Sequence, residues 1–112
     1  MSMINRCAVT IKAKEPFVKW LKSLPDPLAL SIEEINEDST VYLLPEYDYD
    51  ENQEPLLEHF YDLLFDEQLS SWWEAEEDWP TARTFSLFRQ WFDVKFHSMV
   101  IDCVDEPLER QE

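Results

Sequence analysis

The run EYDYDENQE holds the residue types and the spacing with which a calcium-binding loop begins. Asp48, Asp50 and Asn52 form D-x-D-x-N, whose carboxylate and amide oxygens are ligands that Ca²⁺ accepts. Counted from Asp48, the sixth position is Gln53, where an EF-hand loop needs glycine. The twelfth is His59, where it needs a bidentate glutamate. An EF-hand is therefore excluded.

Two looser cation sites stay open in the same region. The first would use the oxygen ligands of the run itself, and its members are Asp48, Asp50 and Glu54. The second would place an imidazole beside carboxylates on one helical face, as transition metals prefer, and its members are His59, Asp62 and Asp66. One helix alone supplies the second set, and a boundary histidine among acids is a far more common explanation of His59.

Nucleophilic catalysis has few candidate residues. His97 and Cys103 have the same strand parity, yet six residues of strand separate them by about 20 Å. Cys7 faces His97 only if the first and last strands pair in one particular register. The two cysteines are more typical of small buried hydrophobic residues than of a disulfide. We predict no catalytic residue and no cofactor; the open alternative is a metal-binding protein or hydrolase-type enzyme that uses His59 or His97 with neighbouring carboxylates.

Seven carboxylates form the strongest candidate for a binding surface, which we call the acidic surface: Asp48, Asp50, Glu51, Glu54, Glu58, Asp62 and Asp66. The last four recur every fourth residue and so share one face of a helix. Acids in a first helical turn favour the helix dipole, but Asp62 and Asp66 lie further along, where like charges four apart cost a few tenths of a kcal/mol. The surface either docks a basic protein, with carboxylates about 6 Å apart imitating nucleic acid as its sharper form, or serves solubility alone.

The net charge of −16 comes from one continuous part of the chain. Residues 31–80 contain 17 acidic residues and no Lys or Arg, whereas residues 1–30 contain five basic and two acidic residues. Direct binding to nucleic acid or to an anionic membrane is disfavoured because both need a basic face. A cationic partner is favoured. The only basic patch, Lys12, Lys14, Lys19 and Lys22, leaves a salt-sensitive homodimer as a further alternative.

Glycine is absent from all 112 residues. Phosphate-cradling loops need glycine where the backbone approaches the ligand closely, so P-loops, dinucleotide-binding loops and glycine-rich kinase loops are excluded. Left-handed backbone positions would fall to Asn or Asp, such as Asn36 and Asn52.

The first half of the chain alternates strand and helix signals. Residues 4–12 alternate as a strand does, and a short helix begins at Glu15-Pro16. Its apolar stripe consists of Phe17, Trp20, Leu21 and Leu24. Residues 28–38 fit either a helical turn with a capping box or a strand, and residues 40–45 fit a strand.

The second half begins with a long helix near Pro55, whose predicted apolar arc is Leu56, Leu57, Phe60, Tyr61, Leu63 and Leu64. Glu67 would enter that arc, which predicts a change of register there and a second helical piece ending at Pro80. Another helix follows, with Phe85, Phe88, Trp91 and Phe92 facing inward. Residues 94–104 are apolar enough on both faces to predict a central strand.

These elements predict an α+β domain of order β-α-(α or β)-β-α-α-α-β. Its small sheet of three or four strands has helices packed on one side. We expect one domain over residues 1–107 and a flexible acidic tail over residues 108–112. The first residues lack the apolar region of a signal peptide, and no apolar run approaches the length of a membrane span, so we expect a cytoplasmic protein.

Two segments, TVYLLPEY and RTFSLFRQWFDVKFHSMVIDCVDEP, resemble parts of small acidic bacterial proteins of unknown function. The resemblance extends over residues 4–107. It implies a bacterial cytosolic protein and implies no activity, cofactor or site residue.

Overall fold

Nine helices and strands follow one another in the computed structural model, which describes residues 1–112. In chain order they are β1 (Ser2–Met3), β2 (Cys7–Ala13), α1 (Glu15–Lys22), α2 (Ile32–Ile35), β3 (Val41–Leu44), α3 (Gln53–Trp72), α4 (Phe85–Trp91), β4 (Phe92–His97) and β5 (Ile101–Asp102). Single turns of 3-10 helix precede α3 and α4, at Asp50–Asn52 and Glu76–Asp78. The α+β class predicted from the sequence is confirmed. None of the helices combines the length and the apolar character that crossing a bilayer requires.

The main sheet is antiparallel, with the strand order β3-β2-β4, and β1 pairs with β5 in a separate ribbon. Val9 at the centre of β2 lies opposite Tyr42 on one side and Phe96 on the other. The expectation of a central strand over residues 94–104 is therefore wrong. β4 ends where His97 reaches Ala8, near the start of β2, and the chain beyond it pairs with β1 instead.

Residues 28–38, which fitted either a helix or a strand, contain the short helix α2. The Ser31 hydroxyl accepts a hydrogen bond from the Glu34 N–H, and the Glu34 carboxylate accepts one from the Ser31 N–H, both at 3.1 Å. This reciprocal capping box satisfies two donors that a helix start leaves free, which selects the helical alternative.

Helix α3 continues without a break through Glu67 to Trp72, so the predicted change of register is wrong. Its buried residues are Leu57, Leu64, Phe65 and Leu69, whereas Leu63, which we placed in the apolar arc, is 65% exposed. The Glu67 side chain is exposed beside the open edge of β3. Because solvent reaches that position, the helix has no reason to end there.

Aromatic rings join the helices to the inner side of the sheet. Phe17 of α1, Phe65 of α3 and Phe92 of β4 are fully buried and pack with ring centroids 5.2 to 5.7 Å apart in the Phe17–Phe92 and Phe65–Phe92 pairs. Trp91 contacts both Phe17 and Phe65. Buried aromatic residues of this size supply much of the apolar area that a core needs.

The fold contains no residue with a positive φ, so the prediction that asparagines occupy left-handed positions is wrong. Asn36 has φ −92° and Asn52 has φ −82°. Asn36 serves the sheet instead. Its Oδ1 accepts the N–H of Ala13 at 2.7 Å, and its Nδ2 donates to the C=O of Ala13 at 3.0 Å. The side-chain amide thereby bonds to β2 as a further strand residue would, beyond the N-terminal end of β3.

Candidate functional site

The segment 48–52 and the part of α3 that extends to Asp66 present the acidic surface to solvent. All seven of its carboxylates belong to exposed residues: Asp48, Asp50, Glu51, Glu54, Glu58, Asp62 and Asp66. The Asn52 side chain accepts the Tyr49 N–H at 3.1 Å and fixes the turn that precedes the helix. Four of these residues, Glu54, Glu58, Asp62 and Asp66, form a row at successive turns of α3.

Two members of the acidic surface have cationic partners from the segment that contains α4. Arg83 Nε lies 3.4 Å from the Asp66 carboxylate, and Arg89 Nε lies 3.7 Å from that of Glu54. These residues are far apart in the sequence, and only the antiparallel packing of α4 along α3 brings them together. The like-charge cost expected within the row is therefore reduced at both of its ends.

The middle of the row has no cationic partner. Glu58 and Asp62 lie between the two ion-paired residues, are exposed, and form no ion pair. Since adjacent carboxylates on a helix repel each other, this pair favours a cation nearby. Five of the seven carboxylates of the acidic surface thus form no ion pair, since Asp48, Asp50 and Glu51 before the helix also lack one.

The cation sites considered from the sequence do not assemble. The structure contains no group of three or more His, Cys, Asp or Glu side chains placed to hold a metal ion. Asp48, Asp50 and Glu54 therefore do not form such a group. His59 is exposed and packs edge-on against Phe60, with ring centroids 4.9 Å apart.

The register of β2 and β4 separates the thiol and imidazole groups. Ala8, not Cys7, lies opposite His97. Cys7 therefore faces the helices, while His97 faces the open side of the sheet. There His97 Nε2 lies 3.4 Å from Thr10 Oγ1. Cys7 is buried, its Sγ donates to the C=O of Pro45 at 3.4 Å, and burial raises the pKa of its thiol above the usual value of 9.0. A raised pKa opposes nucleophilic chemistry because the thiolate is the reactive form. Cys103 is an exposed free thiol, so the expectation of a buried cysteine is confirmed for Cys7 and wrong for Cys103.

The predicted basic patch is only partly free. Lys14 lies 3.4 Å from the Asp93 carboxylate and donates to the C=O of Arg89. Lys12, Lys19 and Lys22 are exposed and have no carboxylate partner.

Sequence reasoning missed an apolar groove of about 430 Å³ between β3 and α3. Its lining residues are Tyr42, Leu43, Leu44, Phe60, Leu63, Leu64 and Glu67. The Tyr42 hydroxyl accepts from Gln68 Nε2 at 2.9 Å, and burial raises the pKa of this hydroxyl above 10.0. The available signal was Leu63, an apolar residue one position after Asp62, but the sequence pattern placed it in the core.

The chain matches no protein-family model, no curated protein and no solved structure.

Proposed function

We propose that this protein is a non-enzymatic binding module that docks a basic protein surface through its acidic surface. The observation that carries the proposal is the uncompensated pair Glu58 and Asp62 at the centre of the row on α3. Folding brings arginines to both ends of this row and leaves its centre without a counter-charge. A cationic side chain of a partner would relieve that repulsion.

The proposal favours a local contact over an extended imitation of nucleic acid. Mimicry needs a long run of evenly spaced free charges, and the ion pairs of Arg83 and Arg89 shorten the run on α3. The expected partner surface is therefore a small group of Lys or Arg side chains.

The test compares two double variants that remove the same charge. Glu58→Gln with Asp62→Asn neutralises the centre of the row, and Glu76→Gln with Glu77→Gln neutralises two exposed acids of the turn before α4. Each is used to retain proteins from a lysate of the native host at low salt and at about 0.3 M salt. We expect the wild type and the second variant to retain the same basic proteins at low salt only.

The row variant should lose most of that retention because the contact depends on position and not on net charge. Equal retention by both variants would show that net charge alone is responsible, and retention of no basic protein at low salt would overturn the proposal. Adding duplex DNA to the lysate tests whether the retained proteins are nucleic-acid-binding proteins.

A further inference from the structure

The outer edge of β3 is unpaired and lacks the charged side chains that commonly protect a sheet edge from pairing with another strand. β3 pairs with β2 on one side and with no strand on the other, and no backbone hydrogen bond outside the regular elements involves residues 41–44. The opposite outer strand, β4, carries charged side chains at Asp93 and Lys95, which commonly protect sheet edges. β3 reads Val-Tyr-Leu-Leu and carries none.

The register shows which backbone groups the β3 edge presents. Ala13 directs its N–H and C=O to a side-chain amide on the β3 side of β2. Alternate residues of an antiparallel strand direct these groups to the same side, so Val9 directs its own to Tyr42. Val41 and Leu43, the neighbours of Tyr42, then direct theirs away from the sheet. Two N–H donors and two C=O acceptors line the free edge.

A strand added to this edge would meet apolar side chains on both of its faces. On the open side of the sheet lie Val41, 57% exposed, and Leu43, 49% exposed. On the helix side lies the β3 groove, with Leu63 and Phe60 on its α3 wall. Alternating side chains of an extended segment would therefore contact apolar neighbours on both faces.

The charges around the edge select the flanks of such a segment. Asp38 precedes β3, Glu46 follows it and Glu67 lies on the wall of the groove, which no Lys or Arg lines. Arg6 and Arg110 lie outside the groove, around a second cavity that Leu43 also lines. A second copy paired antiparallel through β3 would bring Asp38 of one chain close to Glu46 of the other, which like charges disfavour. The occupant that fits is apolar in its middle and basic at both ends.

The geometry points to a second binding element: β3 accepts an extended, lysine- or arginine-flanked apolar segment of the partner as an added strand. The choice of a basic partner rests on the proposed function. The strand addition itself rests on the open edge and the groove, which are independent of the acidic surface.

The test uses a peptide of four valines flanked by two lysines at each end, with blocked termini. A control peptide carries a methyl group on every valine nitrogen, which keeps the charge and removes the backbone donors. Binding to the full chain is measured by fluorescence anisotropy at low salt. We expect the unmethylated peptide to bind at least about tenfold more tightly, since pairing at the edge adds backbone hydrogen bonds.

Two variants locate the site. Leu43→Lys places a charge on the edge, and Leu28→Lys makes the same change at a leucine that is 48% exposed, compared with 49% for Leu43. Leu43→Lys should weaken binding of the unmethylated peptide at least about tenfold, whereas Leu28→Lys should bind like the wild type. Circular dichroism confirms that both variants are folded.

The outcomes separate the two proposals. Equal binding of both peptides overturns strand addition and leaves docking at the acidic surface intact. If the Glu58→Gln, Asp62→Asn variant loses binding of the unmethylated peptide and Leu43→Lys does not, the β3 site is also overturned. A salt-insensitive dimer in sedimentation, abolished by Leu43→Lys, would overturn the basic occupant in favour of a second copy.

Discussion

Asn36 shows how one side chain can complete a sheet. Its amide pairs with both backbone groups of Ala13, where β3 is too short to reach. The side chain thus links the end of β2 to the segment between α2 and β3. The sequence offered only a turn residue at this position, because the partner lies across the fold.

Replacing Asn36 by alanine should lower the free energy of unfolding by about 1–3 kcal/mol, because the N–H and C=O of Ala13 lose their partners in a half-buried place. The measurement is urea unfolding followed by tryptophan fluorescence. Asn5→Ala is the matched control, since Asn5 is exposed and its side chain forms no hydrogen bond, and it should change stability by less than about 0.5 kcal/mol. Equal effects of the two changes would contradict this role.

The buried thiol of Cys7 should make the free energy of unfolding fall at alkaline pH. Burial raises the pKa of its thiol, and the charge of Glu46 adds to this, so the folded state holds the thiol proton more tightly than the unfolded state does. The resulting stabilisation is fully present below the unfolded pKa and is lost as the pH rises through the folded pKa. Unfolding free energy should therefore fall as the pH rises above about 8.5, the ordinary pKa of a cysteine thiol.

The matched pair of variants is Cys7→Ala and Cys103→Ala. Removing the buried thiol should flatten the decline, apart from the share due to Tyr42, whose pKa burial also raises. Removing the exposed thiol should leave the decline as it is in the wild type. A decline that is identical in both variants would assign the effect to other groups.

At the scale of elements, the buried face of α3 is rotated from the arc predicted from the sequence. Leu57, Leu64, Phe65 and Leu69 are buried on one side of the helix. Phe65 contacts the rings of Phe88 and Trp91 from α4 and of Phe92 from β4. Because the position of these rings is set by tertiary packing, the arc drawn from the sequence included Leu63 and omitted Phe65.

The two sides of α3 should respond differently to truncation. Phe65→Ala removes a fully buried ring and should cost about 3–5 kcal/mol of unfolding free energy. Leu63→Ala removes a side chain that is 65% exposed and should cost less than about 0.5 kcal/mol. Denaturant unfolding of both variants checks the difference, and a large cost at Leu63 would contradict the assignment of this residue to an open surface.

Local chemistry made most elements predictable, and tertiary packing decided the rest. The capping pattern at Ser31 and Glu34 needs only four residues, so the sequence could identify α2 as one of two alternatives. The Glu67 side chain can stay exposed because β3 leaves an open edge beside it. This tertiary arrangement cannot be predicted from the local sequence. The partners of Glu54 and Asp66 belong to α4 and to the residues just before it, so the sequence predicted the acidic residues but not their ion pairs.

At the scale of the whole molecule, the acidic surface lies on α3, on the helical side of the sheet, while Lys12, Asp93 and Lys95 extend from the open side. A partner with a basic surface would therefore approach the carboxylates of α3 from the helical side. The β3 edge lies at the border between the two sides, where an oriented partner could reach it.

The backbone without positive φ has a consequence for the unfolded chain. A protein of this length with ordinary usage would contain about eight glycines, each adding freedom that folding must remove. Every turn here is made by residues in common conformations, with seven prolines restricting the chain further. At about 0.4–1 kcal/mol for each glycine replaced, the smaller entropy of the unfolded ensemble favours folding by about 3–8 kcal/mol. Part of the stability that offsets the repulsion within a net charge of −16 thus comes from the reduced entropy of the unfolded chain and not from contacts in the folded protein.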